Sequence, residues 1–126
     1  MYKLSEPDKE LVSRVVQEVG FEERLVGYRV RQRLGPTITT MYSFEEVVHF
    51  LNDKFPLLKF EALEKWLRTV MKDEELAVKT AEAIEEEKND HDRLQRIKIR
   101  MRERLSQCKK ANLSQERRTT IEGGHV

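Results

Sequence analysis

Glu87 and His91 are the residues whose types and spacing come nearest to a chemical site. They lie four positions apart, which places both side chains on one face of a helix. Carboxylate and imidazole groups both bind transition metals, and Asp90 and Asp92 lie beside them. The chain lacks the two Glu-x-x-His motifs of di-iron bundles and the His-Glu-x-x-His motif of zinc proteases. Glu87 and His91 are therefore weak metal candidates, and we predict no cofactor.

Few other residues in the sequence are candidates for catalysis. Cys108 is the only cysteine, and the neighbouring Lys109 and Lys110 would favour its thiolate form. A general base with a residue to orient it cannot be assigned near Cys108, and no serine has a convincing histidine and acid partner. The sequence leaves enzymatic activity uncertain and favours a non-catalytic role.

The position of the protein in the cell can be predicted from three features. A lone cysteine cannot form an intrachain disulfide. The first residues lack the apolar segment of a secretory signal, and no stretch approaches the ~20 apolar residues of a membrane span. We therefore expect a cytoplasmic protein that does not contact membranes.

Charge is strongly segregated near the carboxyl end of this 126-residue chain, although the net charge is only +1. Residues 73–92 contain nine acids and two bases, whereas residues 93–118 contain ten bases and two acids. A helix that is negative at one end and positive at the other is complementary to an antiparallel copy of itself.

Residues 73–111 are predicted to form one long helix, capped by Asp73 and used for association. Its ~37 residues would span ~55 Å, more than the ~35–40 Å width of a compact domain of this size. The overhanging part would need a second copy or a partner helix to cover it. The predicted interface comprises Ile84, His91, Leu94, Met101 and Leu105, with Glu85, Glu86, Arg100 and Arg104 setting the orientation.

An alternative breaks this helix at the six polar residues 88–93, with Asn89 as the cap of a new helix. The acidic and basic arms would then fold onto each other within one chain. The charge segregation fits both arrangements, so it does not choose between them.

The preceding residues, 1–72, are predicted to form a helical core, and residues 112–126 a polar flexible tail. Ser43 and Glu46 form a capping box that opens one helix. Residues 21–34 are ambiguous, because they carry acids early and arginines late, as a helix would, yet also alternate like a strand. We favour the helix, and hence an all-α fold; the alternative is a small β-hairpin at residues 25–42.

The sequence thus favours a non-enzymatic interaction protein, such as an adaptor, regulator or assembly factor, that forms a homodimer or binds a partner helix. A regulator that binds nucleic acid is the first alternative, and a metal-binding helical bundle is the second. Phosphate contacts in the first alternative would come from basic residues of the carboxyl-terminal segment, namely Arg93, Arg96, Arg100, Arg102 and Arg104.

Overall fold

The computed structural model describes residues 4–31, 33–53 and 56–123. Its elements are α1 (Lys9–Val16), a 3₁₀ turn (Phe21–Glu23), β1 (Leu25–Arg31), β2 (Gly35–Met41), α2 (Phe44–Leu51), β3 (Pro56–Leu57), α3 (Phe60–Thr69), α4 (Glu74–Glu86) and α5 (Asp90–Gly123).

The fold is mixed α and β, so the all-α prediction is wrong. β1 and β2 pair antiparallel, with Tyr28 opposite Ile38, in the region where the sequence allowed a hairpin as the alternative. β3, which the sequence did not indicate, pairs with the other side of β1. The acidic residues Glu22 and Glu23, interpreted as the first turn of a helix, lie instead in the 3₁₀ turn before β1.

The two faces of β1 have different surroundings. Leu25 and Gly27 face the core, whereas Tyr28 lies on the opposite face. Gly27 lies against Phe50 of α2 so closely that an added Cβ would be 2.6 Å from the Phe50 ring. Gly35 adopts a φ of +67°, a left-handed conformation that glycine tolerates, where the chain enters β2.

α2 packs on the inner face of the sheet through Phe50, and the helices together form one core. The hydroxyl of Ser43 accepts a hydrogen bond from the Glu46 amide at 3.1 Å, which confirms the predicted cap of α2. α3 is fixed to the 3₁₀ turn because the Trp66 indole donates to the Glu23 carbonyl at 2.7 Å. Fully buried side chains come from all parts of the fold, including Val15, Met41, Phe44, Phe50, Leu63, Leu67, Met71, Ile97 and Met101.

The predicted long helix is interrupted, so its continuity through residues 88–93 is wrong. α4 ends at Glu86 and α5 begins at Asp90, and α5 packs against α1, α2 and α4. Asn89 caps α5, since its side-chain oxygen accepts from the Asp92 amide at 2.8 Å. The reversal lets the apolar residues of α5 enter the core. Residues 73–108 therefore do not form the ~55 Å rod that would have extended beyond the domain.

α5 is the longest helix, with 34 residues, and it continues to Gly123. The flexible tail predicted from residue 112 is therefore helical through residue 123, and residues 124–126 lie outside the described part of the chain. Among the described residues, no helix combines the length and apolar character that a membrane crossing requires.

Candidate functional site

An apolar groove of about 670 Å³ lies where the sheet meets the first turns of α3 and α5. β1 contributes Tyr28, β3 contributes Leu57, and α3 contributes Phe60. Leu94 of α5 completes the apolar lining. The volume of the groove is within the range of about 300–1,000 Å³ that is usual for binding pockets.

The groove continues onto the solvent-exposed face of the sheet. Tyr28 lies opposite both Ile38 and Leu57 in the strand register, so the three side chains share one face with Val30. Tyr28, Val30, Ile38 and Leu57 define what we call the outer sheet face, and they are 44%, 44%, 70% and 46% exposed. These four large side chains are exposed to solvent on neighbouring strands and form a contiguous apolar patch. Such a patch is typical of an interaction surface.

Polar residues lie at one margin of the groove. Lys59 precedes α3, while Asp90 and His91 open α5, and all three are exposed. The Asp90 carboxylate accepts from the Arg93 guanidinium at 2.9 Å, so it is already paired. The described residues that line the groove include no serine, threonine or cysteine that could act as a nucleophile. The site is therefore suited to binding an apolar segment, with a charged margin to orient it.

Most of the residues predicted to form an interface make contacts within their own chain. Met101 is fully buried, and Leu94 and Leu105 pack against the core. Ile84 is half-buried, Glu85 is exposed, and Glu86 accepts from Arg96 at 3.3 Å. Of the predicted set, His91 and Leu94 reach the groove; the others do not.

Arg104 was predicted at an interface but lies inside the protein, with a side chain only 2% exposed. Its guanidinium donates to both carboxylate oxygens of Asp73, at 2.8 and 3.3 Å. It also donates to Glu75 at 2.8 Å, to the Ser5 carbonyl at 2.6 Å and to Gln107 at 2.8 Å. Five contacts match the five N–H donors of an arginine, so the group is fully bonded. We call these five residues the Arg104 cluster.

The Arg104 cluster joins the start of the chain to α4 and α5. Asp73 also caps α4, as predicted, by accepting from the Leu76 amide at 3.1 Å. Burial raises the pKa of Glu75, but hydrogen bonds from Ser5 and the bond with Arg104 outweigh this and hold that pKa below its ordinary value. Arg104 and Asp73 are buried and bonded within the chain, which is typical of a structural role.

The arginines considered for nucleic acid are also engaged within the chain. Arg93 donates to the Ile84 carbonyl at 3.0 Å as well as pairing with Asp90. Arg96 pairs with Glu86 and with Glu87, each at 3.3 Å, and Arg100 pairs with Glu103 at 3.2 Å. Arg102 donates to the Asn52 side chain. Arg93, Arg96 and Arg100 are thus each paired with a carboxylate, whereas Arg102 is bonded to a neutral amide.

The metal candidates Glu87 and His91 and the thiol of Cys108 have different surroundings. Glu87 is bonded to Arg96, whereas His91 lies at the groove. Over residues 4–31, 33–53 and 56–123, no group of three or more histidine, cysteine or acidic side chains is arranged to hold a metal ion. Cys108 is fully buried, and burial raises the pKa of its thiol to about 11, so the thiolate that nucleophilic chemistry needs is disfavoured.

Comparisons of the chain with protein-family models, with curated proteins and with solved structures find no match.

Proposed function

We propose that this protein is a non-enzymatic interaction module that binds an apolar segment of a partner protein in the groove and on the outer sheet face. The observation that carries the proposal is the continuity of the two surfaces, since Tyr28 and Leu57 belong to both. Large exposed apolar patches on a small protein indicate a binding surface. The action is proposed to take place in the cytoplasm, in keeping with a lone, buried cysteine.

The partner segment is proposed to be an amphipathic helix. Its apolar residues at positions i, i+3/i+4 and i+7 would lie along Leu94, Phe60 and Leu57 and continue onto Tyr28, in the helix-in-groove mode. A small ligand could fill the groove, but it would leave Val30 and Ile38 uncovered. Lys59 and His91 at the margin would contact the polar face of the helix and fix its direction.

The proposed binding surface lies on the sheet and in the groove, not along the carboxyl-terminal helix where the sequence predicted an interface. α5 contributes only its first turns to the groove, because Ile97, Met101 and Cys108 are buried in the core. The nucleic-acid alternative is not favoured, since Arg93, Arg96 and Arg100 already pair with carboxylates. A phosphate backbone would have to displace those bonds.

Selection from a peptide library tests the proposal. Random helical peptides of about 15 residues, roughly four turns, are selected on the wild-type protein and counter-selected on a Leu57→Asp variant. Loss of one buried leucine contact costs about 1.5–3 kcal/mol, so the selected peptides should bind the variant at least tenfold more weakly. Val78→Asp is the matched control, because Val78 is 41% exposed on α4, outside the groove.

The expected result is peptides with apolar residues at helical spacing that bind the wild type and the control equally well. Circular dichroism and urea unfolding would establish that all three proteins are folded. Failure to recover any binding peptide, or equal affinity for the Leu57→Asp variant, would contradict the proposal.

A further inference from the structure

β2 lies at the edge of the sheet. The strand order is β2-β1-β3, so among the described strands β2 has a neighbour on one side only. Its other side presents alternate backbone N–H and C=O groups to solvent. The free edge ends near Met41, because a bridge between Glu18 and Ser43 follows directly. Such an edge is a template for another strand.

The composition of β2 makes this edge unusual for the chain. Residues 34–42 contain no charged side chain, whereas charged residues make up 37% of the sequence. Natural proteins commonly protect an exposed edge with lysine, another charge or a proline. Pro36 stands near the start of β2, and Thr37–Met41 follow as five residues that all retain an N–H. Ile38, at the middle of the strand, is 70% exposed.

We propose that β2 pairs antiparallel with β2 of a second copy of this chain, about a twofold axis at Ile38. The occupant is a second copy because this strand is complementary to itself when reversed: Ile38 meets Ile38, and Thr37 meets Thr39. Pairs of β-branched residues and threonine pairs stabilise adjacent antiparallel strands. A strand without charge meets its own copy without like-charge repulsion. The contact is isologous, so it closes at two copies.

The dimer has a consequence for the outer sheet face. Two three-stranded sheets become one six-stranded antiparallel sheet, and the two outer sheet faces become neighbours across the axis. Ile38 lies beside its counterpart on the same face of the sheet, while Leu57 on β3 lies on the far side of β1 from the new pairing. The groove therefore stays open in the dimer. This inference rests on the edge of β2 and is independent of the proposed partner helix.

Light scattering with size-exclusion chromatography tests the pairing on the full chain. The wild type should have twice the mass of 15.0 kDa at concentrations of tens of micromolar. Ile38→Lys should weaken the dimer, with at least a tenfold rise in its dissociation constant. Two lysine side chains would then be attached to Cβ atoms about 5 Å apart, and their like charges would repel. Ile38→Glu should do the same. Mixing the two variants in equal amounts should restore the dimer, since opposite charges then meet at the axis.

A second readout does not depend on a destabilising substitution. Ile38→Cys should form an intermolecular disulfide under mild oxidation, because the Cβ atoms of directly opposed residues lie ~4.5–5.5 Å apart, which a small backbone shift brings to the ~3.5–4.5 Å of a disulfide. Leu57→Cys, also exposed on the outer sheet face, is the matched control and should form much less.

A monomeric wild type would overturn the proposal, as would dimers that persist in both charge variants or a mixture that stays monomeric. Equal crosslinking at positions 38 and 57 would also overturn it. Leu57→Asp is expected to remain dimeric, so loss of peptide binding and loss of the dimer are separable results.

Discussion

Replacing Arg104 with methionine is expected to lower the free energy of unfolding by about 3–5 kcal/mol, the cost of breaking a buried ion pair from one side. Methionine keeps a long apolar chain in the core but removes all five donated hydrogen bonds. Asp73, 2% exposed, then keeps a buried charge without its guanidinium. For a domain of this size the loss corresponds to a fall in Tm of roughly 10–20 °C.

The assay is urea unfolding followed by far-ultraviolet circular dichroism and by Trp66 fluorescence. Arg102→Met is the control, because Arg102 lies two positions earlier on the same helix with its side chain exposed. Its replacement should cost less than about 1 kcal/mol, as exposed polar contacts do. Adding Asp73→Asn to the Arg104→Met variant should recover part of the lost stability, since the unpaired carboxylate is then removed.

A cost below about 1 kcal/mol for Arg104→Met, equal to that of the control, would refute the reasoning. It would mean that Arg104 is exposed, and hence that α5 does not fold back along the start of α4.

Three further predictions follow from single residues. Cys108 should react slowly with a thiol reagent at pH 8 and rapidly in urea, because its pKa is about 11 in the fold; rapid reaction of the native protein would show an exposed thiol. Gly27→Ala should destabilise the protein by about 1–3 kcal/mol in urea unfolding, since its Cβ would meet the Phe50 ring, whereas Gly20→Ala, with nothing within 4 Å, should change little. The stability difference between wild type and Glu75→Gln should be present at pH 7 and vanish in acid. The pKa of Glu75 is lowered in the fold from its ordinary value of 4.5, so its contribution is present above that value and is lost as the pH falls through the folded value. A difference that persists at pH 2 would contradict that assignment.

Local signals in the sequence were sufficient where one residue satisfies one backbone group. Ser43 and Asp73 cap α2 and α4 as predicted, because a side chain and an amide three residues later decide a helix start. The hairpin was difficult to predict because two local signals disagree in residues 21–34. The early acids and late arginines suit a helix dipole, whereas the alternation of residues suits a strand. The strand is favoured by the burial of Leu25 and by the close approach of Gly27 to Phe50 of α2, and that contact is not local.

The charge segregation allowed either an intrachain or an interchain pairing, and the described residues show the intrachain one. Acids and bases do lie against each other, but Arg96 meets Glu86 and Glu87 of its own chain across the reversal at Asn89. Nothing local distinguishes an intrachain from an interchain pairing of the same charges. Burial of Arg104 could not be predicted either, since arginine is ordinarily exposed and three of its four partner residues lie 29 to 99 positions away.

The groove was missed for a similar reason. Its apolar residues come from four separate elements, and each is an ordinary apolar residue of its own helix or strand. Only Leu94 and His91 were among the predicted site residues. The alternation of Tyr28 and Val30 with arginines indicates that these two residues share one face of a strand, but it would place that face inward, whereas both residues are exposed.

The central claim is that α4 and α5 reverse at Asn89, which places the charges within one chain and leaves the sheet as the binding surface. The most direct test is the distance between nitroxide labels on Lys79→Cys and Ile99→Cys, measured by pulsed electron resonance in protein diluted with unlabelled chains. Both positions line the same small surface pocket between α4 and α5, so we predict a separation below about 20 Å, the spacing of packed helices plus the label arms. A distance near 30 Å, the length of 20 residues of unbroken helix, would contradict the account.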